Sequence, residues 1–146
     1  MADTQRQQIM TALGARLATI RVANGYRTDI GANVSEGYIG EMTPASLPAV
    51  LYRDISQKTQ AELSRHRHTL GVEIGIAIEG VAPLPTIRAA TDDIHKALGV
   101  DITFGGLAIQ IDPPSSSWEI NDEGGQIITE IRFTTTINYR TTEWTT

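Results

Sequence analysis

From residue 126 to residue 140 the chain alternates without a break. Ile127, Thr129, Ile131, Phe133, Thr135, Ile137 and Tyr139 take one set of places. Ile128, Glu130, Arg132, Thr134, Thr136, Asn138 and Arg140 take the other. A period of two puts successive side chains on opposite faces of a strand, and Thr and Ile suit a pleated, half-buried surface. A second stretch, 69–79, behaves the same way. Leu70, Val72, Ile74, Ile76 and Ile78 alternate with Thr69, Gly71, Glu73, Gly75, Ala77 and Glu79. Two long strands with aliphatic faces need cover, so the chain must build a sheet with helices or a second sheet laid over it. The opposite face of 69–79 is small and carries two carboxylates; it suits a lumen or the close approach of a neighbour.

The cover is legible too. Ile9, Leu13, Leu17 and Ile20 recur at helical spacing, which predicts an amphipathic helix over 4–20. Thr4 with Gln7 fits a capping box, and Asn24-Gly25 can supply the positive φ that ends the local structure. Gly14 inside that helix costs up to about 1 kcal/mol against Ala. Pro83-Leu84-Pro85 opens a second helix running to Gly99, with Ile87, Ala90, Ile94, Ala97 and Leu98 on its apolar face. Asp92 and Lys96 stand in the order of an i,i+4 pair. Shorter strands are expected at 26–30, at 47–54 with Pro48 near the start, and through Leu107, Ile109 and Ile111, with Trp118-Glu119-Ile120 resuming that strand. Gly31, Gly37 and Gly40 interrupt anything longer between them. Residues 55–68 (ISQKTQAELSRHRH) show no strong period and read as an exposed loop or a short helix around Gln60–Arg65. Residues 112–117 read as a loop, and 121–125 as a turn. The expected fold class is α+β: a largely antiparallel or mixed sheet with two helices packed on one face, in a single domain over 1–146, with no internal repeat or linker.

Composition removes several functions. With no cysteine there is no disulfide scaffold, no thiolate zinc site and no thiol nucleophile. A formal charge of −5 and the absence of a long apolar run argue against a basic nucleic-acid surface and against a membrane span. The N-terminus has no signal-peptide character, so a soluble cytosolic chain is expected. Charge is uneven: residues 1–70 hold eight Lys/Arg and six Asp/Glu, and residues 71–146 hold four and eleven. Unless folding interleaves the halves, the surface is polarised. Arg outnumbers Lys ten to two, a bias that suits interfaces.

Catalytic patterns do not emerge. Arg65-His66-Arg67-His68 is the densest cluster. Both histidines can face one way, but no third metal ligand is near and the arginines repel a dication, so it reads as a solvated basic loop that docks an acidic partner. Asp92, Asp93 and His95 read as a charged outer helix face, and Asp122-Glu123 as a solvated turn. Gly105-Gly106 lacks the Lys-Ser/Thr of a phosphate loop, and Ser115–Ser117 lacks a nucleophile-elbow setting. Trp118 is either an exposed anchor or a cover for the end of the core.

The order of these motifs carries a resemblance. A helix leads to Asn24-Gly25-Tyr26-Arg27-Thr28-Asp29-Ile30-Gly31. Pro48-Ala49-Val50-Leu51-Tyr52-Arg53-Asp54 follows, then the polar stretch and Val72-Glu73-Ile74. Ile94-His95-Lys96-Ala97-Leu98 leads to Asp101 and Gly105-Gly106-Leu107-Ala108. Phe133-Thr134-Thr135-Thr136-Ile137-Asn138-Tyr139-Arg140-Thr141 closes the series. Over nearly its whole length the chain resembles the tail terminator, or tail-completion, proteins of tailed bacteriophages. That resemblance implies a structural virion protein and no enzyme or cofactor. Subunits would form a hexameric ring on the finished tail tube, end its growth and present a surface to the head-completion or connector protein. Assembly would take place in the host cytoplasm and leave the ring at the head–tail junction. DNA would pass through the lumen without specific binding, which an acidic lumen favours. Partner docking would fall to Arg65, His66, Arg67, His68 and Trp118, with 55–68 and 112–125 ordered on docking. Two other classes remain open: a small-molecule-binding or enzymatic α+β domain of ferredoxin-like shape, and another head–tail connector component.

Overall fold

The computed structural model describes residues 2–37 and 47–146. Helix α1 (Gln5–Ala18) begins where Thr4 Oγ1 accepts from the Gln7 backbone N–H at 3.1 Å. Only half of the expected capping box forms, because the Gln7 side chain turns outward to Thr11. Ile9, Leu13, Leu17 and Ile20 are fully buried, as their spacing requires. Strands β1 (Val34–Glu36), β2 (Ala49–Glu62) and β3 (Arg65–Glu79) follow. Helix α2 (Leu84–Gly99), a two-residue β4 (Gln110–Ile111), β5 (Ser115–Glu123) and β6 (Gln126–Thr141) complete the order.

One mixed sheet joins all six strands in the order β1-β2-β3-β6-β4, with β5 also on β6. Only β1 and β2 pair in parallel. The two alternating segments are neighbours, with Ile74 opposite Phe133 and Ile76 opposite Ile131. Both helices lie on that aliphatic face and share one core with Leu70, Val72, Ile74, Ile76, Ile131, Phe133 and Ile137. This is the α+β arrangement expected. Across the sheet the halves are not interleaved: β1 and β2 lie on one side of β3, and β6, β4 and β5 on the other.

Two glycines mark where α1 meets its surroundings. A Cβ on Gly14 would collide with the Tyr52 hydroxyl, so the helix glycine makes room for a strand side chain. A Cβ on Gly31 would come within 2.6–2.8 Å of Leu17 O, Ile20 O and Ile20 N, and Gly31 N donates to Ile20 O at 2.9 Å. The small outer face of β3 is not bare throughout. Ala49, Leu51 and Ala77 are buried there, Gly71 admits the Ser56 hydroxyl, and Glu73 pairs with Arg53 at 3.2 Å.

Several sequence expectations are corrected. Residues 55–68 are neither loop nor helix: β2 and β3 continue through them to a two-residue turn at Leu63 and Ser64, with Glu62 opposite Arg65. Residues 115–123 are strand β5, and the turn shrinks to Gly124-Gly125. Neither stretch is a loop awaiting order from a partner. Residues 26–30 form no strand; they make a turn pinned by α2. The strand expected through Leu107 and Ile109 reduces to Gln110–Ile111, because Asp101 folds the preceding residues into turns by accepting from Thr103 N, Thr103 Oγ1 and Gly105 N. Those hydrogen bonds, the Thr103 hydroxyl's foremost, hold the Asp101 carboxyl below its ordinary range. The break expected at Gly40 lies outside the described residues.

Candidate docking surfaces

Strands β3 and β6 are long, so the sheet has two ends separated by about 45 Å, at roughly 3.3 Å per residue. The ends are chemically unlike.

At one end lies the β2–β3 hairpin. His66 pairs across to Thr141 and His68 to Tyr139, which brings the C-terminal residues alongside. His68 is not solvated: it is buried, its two ring nitrogens lie 2.9 Å from Thr59 Oγ1 and 2.8 Å from Thr141 Oγ1, and its ring stacks on Tyr139. Burial holds its imidazole below the usual range, with His66 adding to the effect. Burial likewise pushes the Tyr139 phenol up to about 12, and its hydroxyl donates to Gln57 Oε1 at 2.6 Å. A satisfied polar cluster therefore replaces the apolar core here. His66 is half-buried; its Nδ1 accepts from Trp144 N at 3.2 Å and its ring meets the indole edge to face. The four-residue basic cluster of the sequence is thus split. His66 and His68 face the helix side, while Arg65 and Arg67 face the other side with Lys58 and Arg140. Glu62 answers part of that charge, at 2.8 Å from Arg140 and 3.9 Å from Arg67. Beyond these residues Leu63 is 97% exposed and Trp144 is 89% exposed. Trp144 also sits at φ +61, a conformation uncommon for a bulky residue.

At the other end, β5 lies over the outer edge of β6 with Trp118 opposite Ile131 and Ile120 opposite Thr129. This register sends Trp118 and Ile120 to the helix side, beyond the edge of the helices. Val81, Leu84, Trp118, Ile120 and Ile127 are all exposed there. The connection from β3 to α2 is held against β6, because Ala82 N donates to Thr129 Oγ1, Thr129 Oγ1 donates to Gly80 O, and Gly80 N donates to Ile127 O. Between α2 and Trp118 runs an open groove of about 400 Å³. Leu84, Ile87 and Trp118 give it apolar walls, and Arg88, Asp92 and His95 edge it. Trp118 is therefore a half-exposed groove wall. Its charge is mixed: Arg88, Asp92 and His95 line it and Asp92 is paired with Arg27, while Glu119, Glu130 and Arg132 lie on the opposite face of the sheet.

The carboxylates of α2 do separate jobs. Asp92 binds Arg27 Nε at 2.9 Å, in place of the expected pair with Lys96, and Lys96 Nζ donates to Gly25 O at 2.7 Å. Asp93 is fully buried, against the outer-face reading. It accepts from Arg27 N at 2.9 Å, Thr28 N at 2.8 Å and Thr28 Oγ1 at 2.6 Å, fixing the 26–30 turn. Its partners lie more than sixty residues away, so no local signal marks it. Among the described residues no three His, Asp or Glu side chains converge as a metal site, and no helix is long and apolar enough to cross a membrane. No family model matches the chain, and no curated protein matches it.

Proposed function

We propose that this protein is a structural subunit of a phage tail terminator ring, which caps the tail tube and offers its far side to the head connector. From the sequence, support comes from the ordered motifs that span residues 24–141. From the structure, the observation that carries the reading is the contrast between the two ends of the sheet. A ring is built from heterologous contacts, which require two different faces on each subunit. Here one end projects apolar side chains from a basic hairpin, and the other lays apolar side chains along an open groove of mixed charge. Between the ends, the outer face of the sheet carries paired charges, Arg53 with Glu73 and Arg132 with Glu130, and gives no continuous basic track for phosphate.

Deleting the gene from its phage tests the reading. Tails of abnormal length, or tails that never join heads, are the expected result; normal infectious virions from the deletion refute it. The α2–Trp118 groove favours a second reading, a small-molecule-binding domain, since its volume falls in the ordinary range for such sites. A ligand that raises the melting temperature and is displaced by Trp118→Ala would favour that reading over the ring.

A further inference from the structure

We propose that the free edge of β5 takes up an extended segment of another protein as an added strand, and that this segment alternates aliphatic residues with Lys or Arg. Such docking goes beyond the ring reading and does not depend on it.

Strand β5 is outermost over Ser115–Glu123: it pairs with β6 and with no other strand. The Gly124-Gly125 turn fixes which of its backbone groups are engaged. Both glycines have positive φ, as a two-residue hairpin turn requires, so Glu123 and Gln126 close the ladder as a hydrogen-bonded pair. Counting back in twos, Asn121, Glu119, Ser117 and Ser115 bond to β6. The N–H and C=O groups of Ser116, Trp118, Ile120 and Asp122 therefore point away from β6, and no group of the described residues meets them.

Sheet edges are ordinarily guarded by short length, Lys, Pro or a bulge. Strands β1 and β4 follow that rule at three and two residues. Strand β5 does not. It is nine residues long, pairs without a register shift and contains no Lys, Arg or Pro, and Ser115–Ile120 are all exposed. Such an edge offers an incoming strand main-chain hydrogen bonds for affinity and alternating side chains for selection. On the helix side the selection is apolar, since Trp118 and Ile120, each 55% exposed, stand two residues apart. Aliphatic residues of an added strand would cover them as cross-strand neighbours.

Charge selects the alternate residues. On the outer face Glu119 stands directly opposite Glu130, a like-charge pair that Arg132, 3.2 Å from Glu130, answers only in part. A hollow of about 300 Å³ opens there, lined by Ser117, Trp118, Glu119, Glu130 and Arg132. From residue 97 to residue 131 the sequence has six Asp/Glu and no Lys/Arg. In an antiparallel addition the residue facing Glu119 falls in a non-hydrogen-bonded pair, where side chains come closest, and a Lys or Arg there meets the carboxylates. The same charge disfavours β5 of a second copy as the occupant, because it brings one Glu119 beside the other.

The probe is a synthetic peptide, acetyl-Thr-Lys-Val-Arg-Val-Lys-Val-Thr-amide, added at millimolar concentration to ¹⁵N-labelled protein, with amide hydrogen exchange read by NMR. Exchange at Ser116, Trp118, Ile120 and Asp122 should slow at least about tenfold, while the amides of Ser117, Glu119 and Asn121, already bonded to β6, change little. Ile120→Pro removes an outward N–H without touching a bond to β6, and should abolish the protection. Glu119→Lys should weaken binding at least about fivefold, since a favourable cross-strand pair becomes a repulsive one. It also relieves the contact with Glu130, so the melting temperature should not fall. Circular dichroism confirms that each variant keeps the fold. Gene deletion tests tail capping separately, so failure of either reading leaves the other in place. No slowing at the four outward amides overturns the proposal. So does a response confined to Leu84, Ile87 and Arg88, which marks the groove, or equal binding of a peptide with Glu in place of Lys and Arg. Slowing that appears without peptide as protein concentration rises also overturns it, by putting a second copy on the edge.

Discussion

Replacing Asp93 with Ala should be among the most damaging single changes in α2. The carboxylate is fully buried and accepts two backbone N–H groups and one hydroxyl from Arg27 and Thr28. Hydrogen bonds to a charged group contribute about 1.5–3 kcal/mol each, and a donor left without a partner costs about 1–3 kcal/mol. The turn is only partly buried, so water can satisfy some of the freed donors. The expected net loss is therefore about 3–5 kcal/mol, at the level measured for removing one partner of a buried charged pair. Against a total stability of about 5–15 kcal/mol this is a large fraction. Asp93→Asn keeps the shape but turns one acceptor into a donor facing a donor, and should lose a little less. Urea unfolding gives the magnitude. The midpoint should fall by more than about 1 M, with the slope unchanged because the same surface is exposed on unfolding. A double-mutant cycle with Thr28→Val assigns the cause. The second change should cost about 1 kcal/mol in the parent and almost nothing beside Asp93→Ala. A loss below about 1 kcal/mol for Asp93→Ala, or equal costs for Thr28→Val in both backgrounds, would refute the account.

Other outcomes follow from the same reasoning. Gly31→Ala should cost about 2–3 kcal/mol, because its Cβ meets backbone rather than a side chain that can swing away. Gly99→Ala, a helical position with open space around its Cβ, should instead stabilise by up to about 1 kcal/mol; equal thermal shifts for the two variants contradict this. His68 is held below its ordinary value of 6.5 in the fold, so the unfolded chain takes up the proton first as pH falls. Stability should then decline from about pH 6.5 downward. His68→Gln, which cannot titrate, should flatten the curve between about pH 7 and pH 5. The loss at still lower pH, where Asp101 and Asp112 gain protons against the hydrogen bonds that favour their charged forms, should persist in the variant. Parallel curves for parent and variant would show that His68 is not the source.

Periodicity alone determined the frame of this protein. Alternation over 69–79 and 126–140 fixed two strands and which side of each is buried, since a strand has only two faces and one of them is aliphatic. Helical spacing over Ile9–Ile20 and Ile87–Leu98 fixed the two covering helices in the same way. Tertiary structure decided the rest, wherever burial is polar. The extended β2–β3 hairpin gives no hydrophobic signal, because its helix side packs His68 among Thr59, Tyr139 and Thr141 and its other side faces water. Its backbone groups are satisfied by a ladder whose far partner, β6, is some seventy residues away. Asp93 reads as one more surface charge until the Arg27–Thr28 turn is brought onto it. Trp118 becomes a groove wall only through the pairing that sets it opposite Ile131 beside α2. Local pattern reports whether a side chain is apolar; which polar groups find partners depends on segments that only the completed fold brings together.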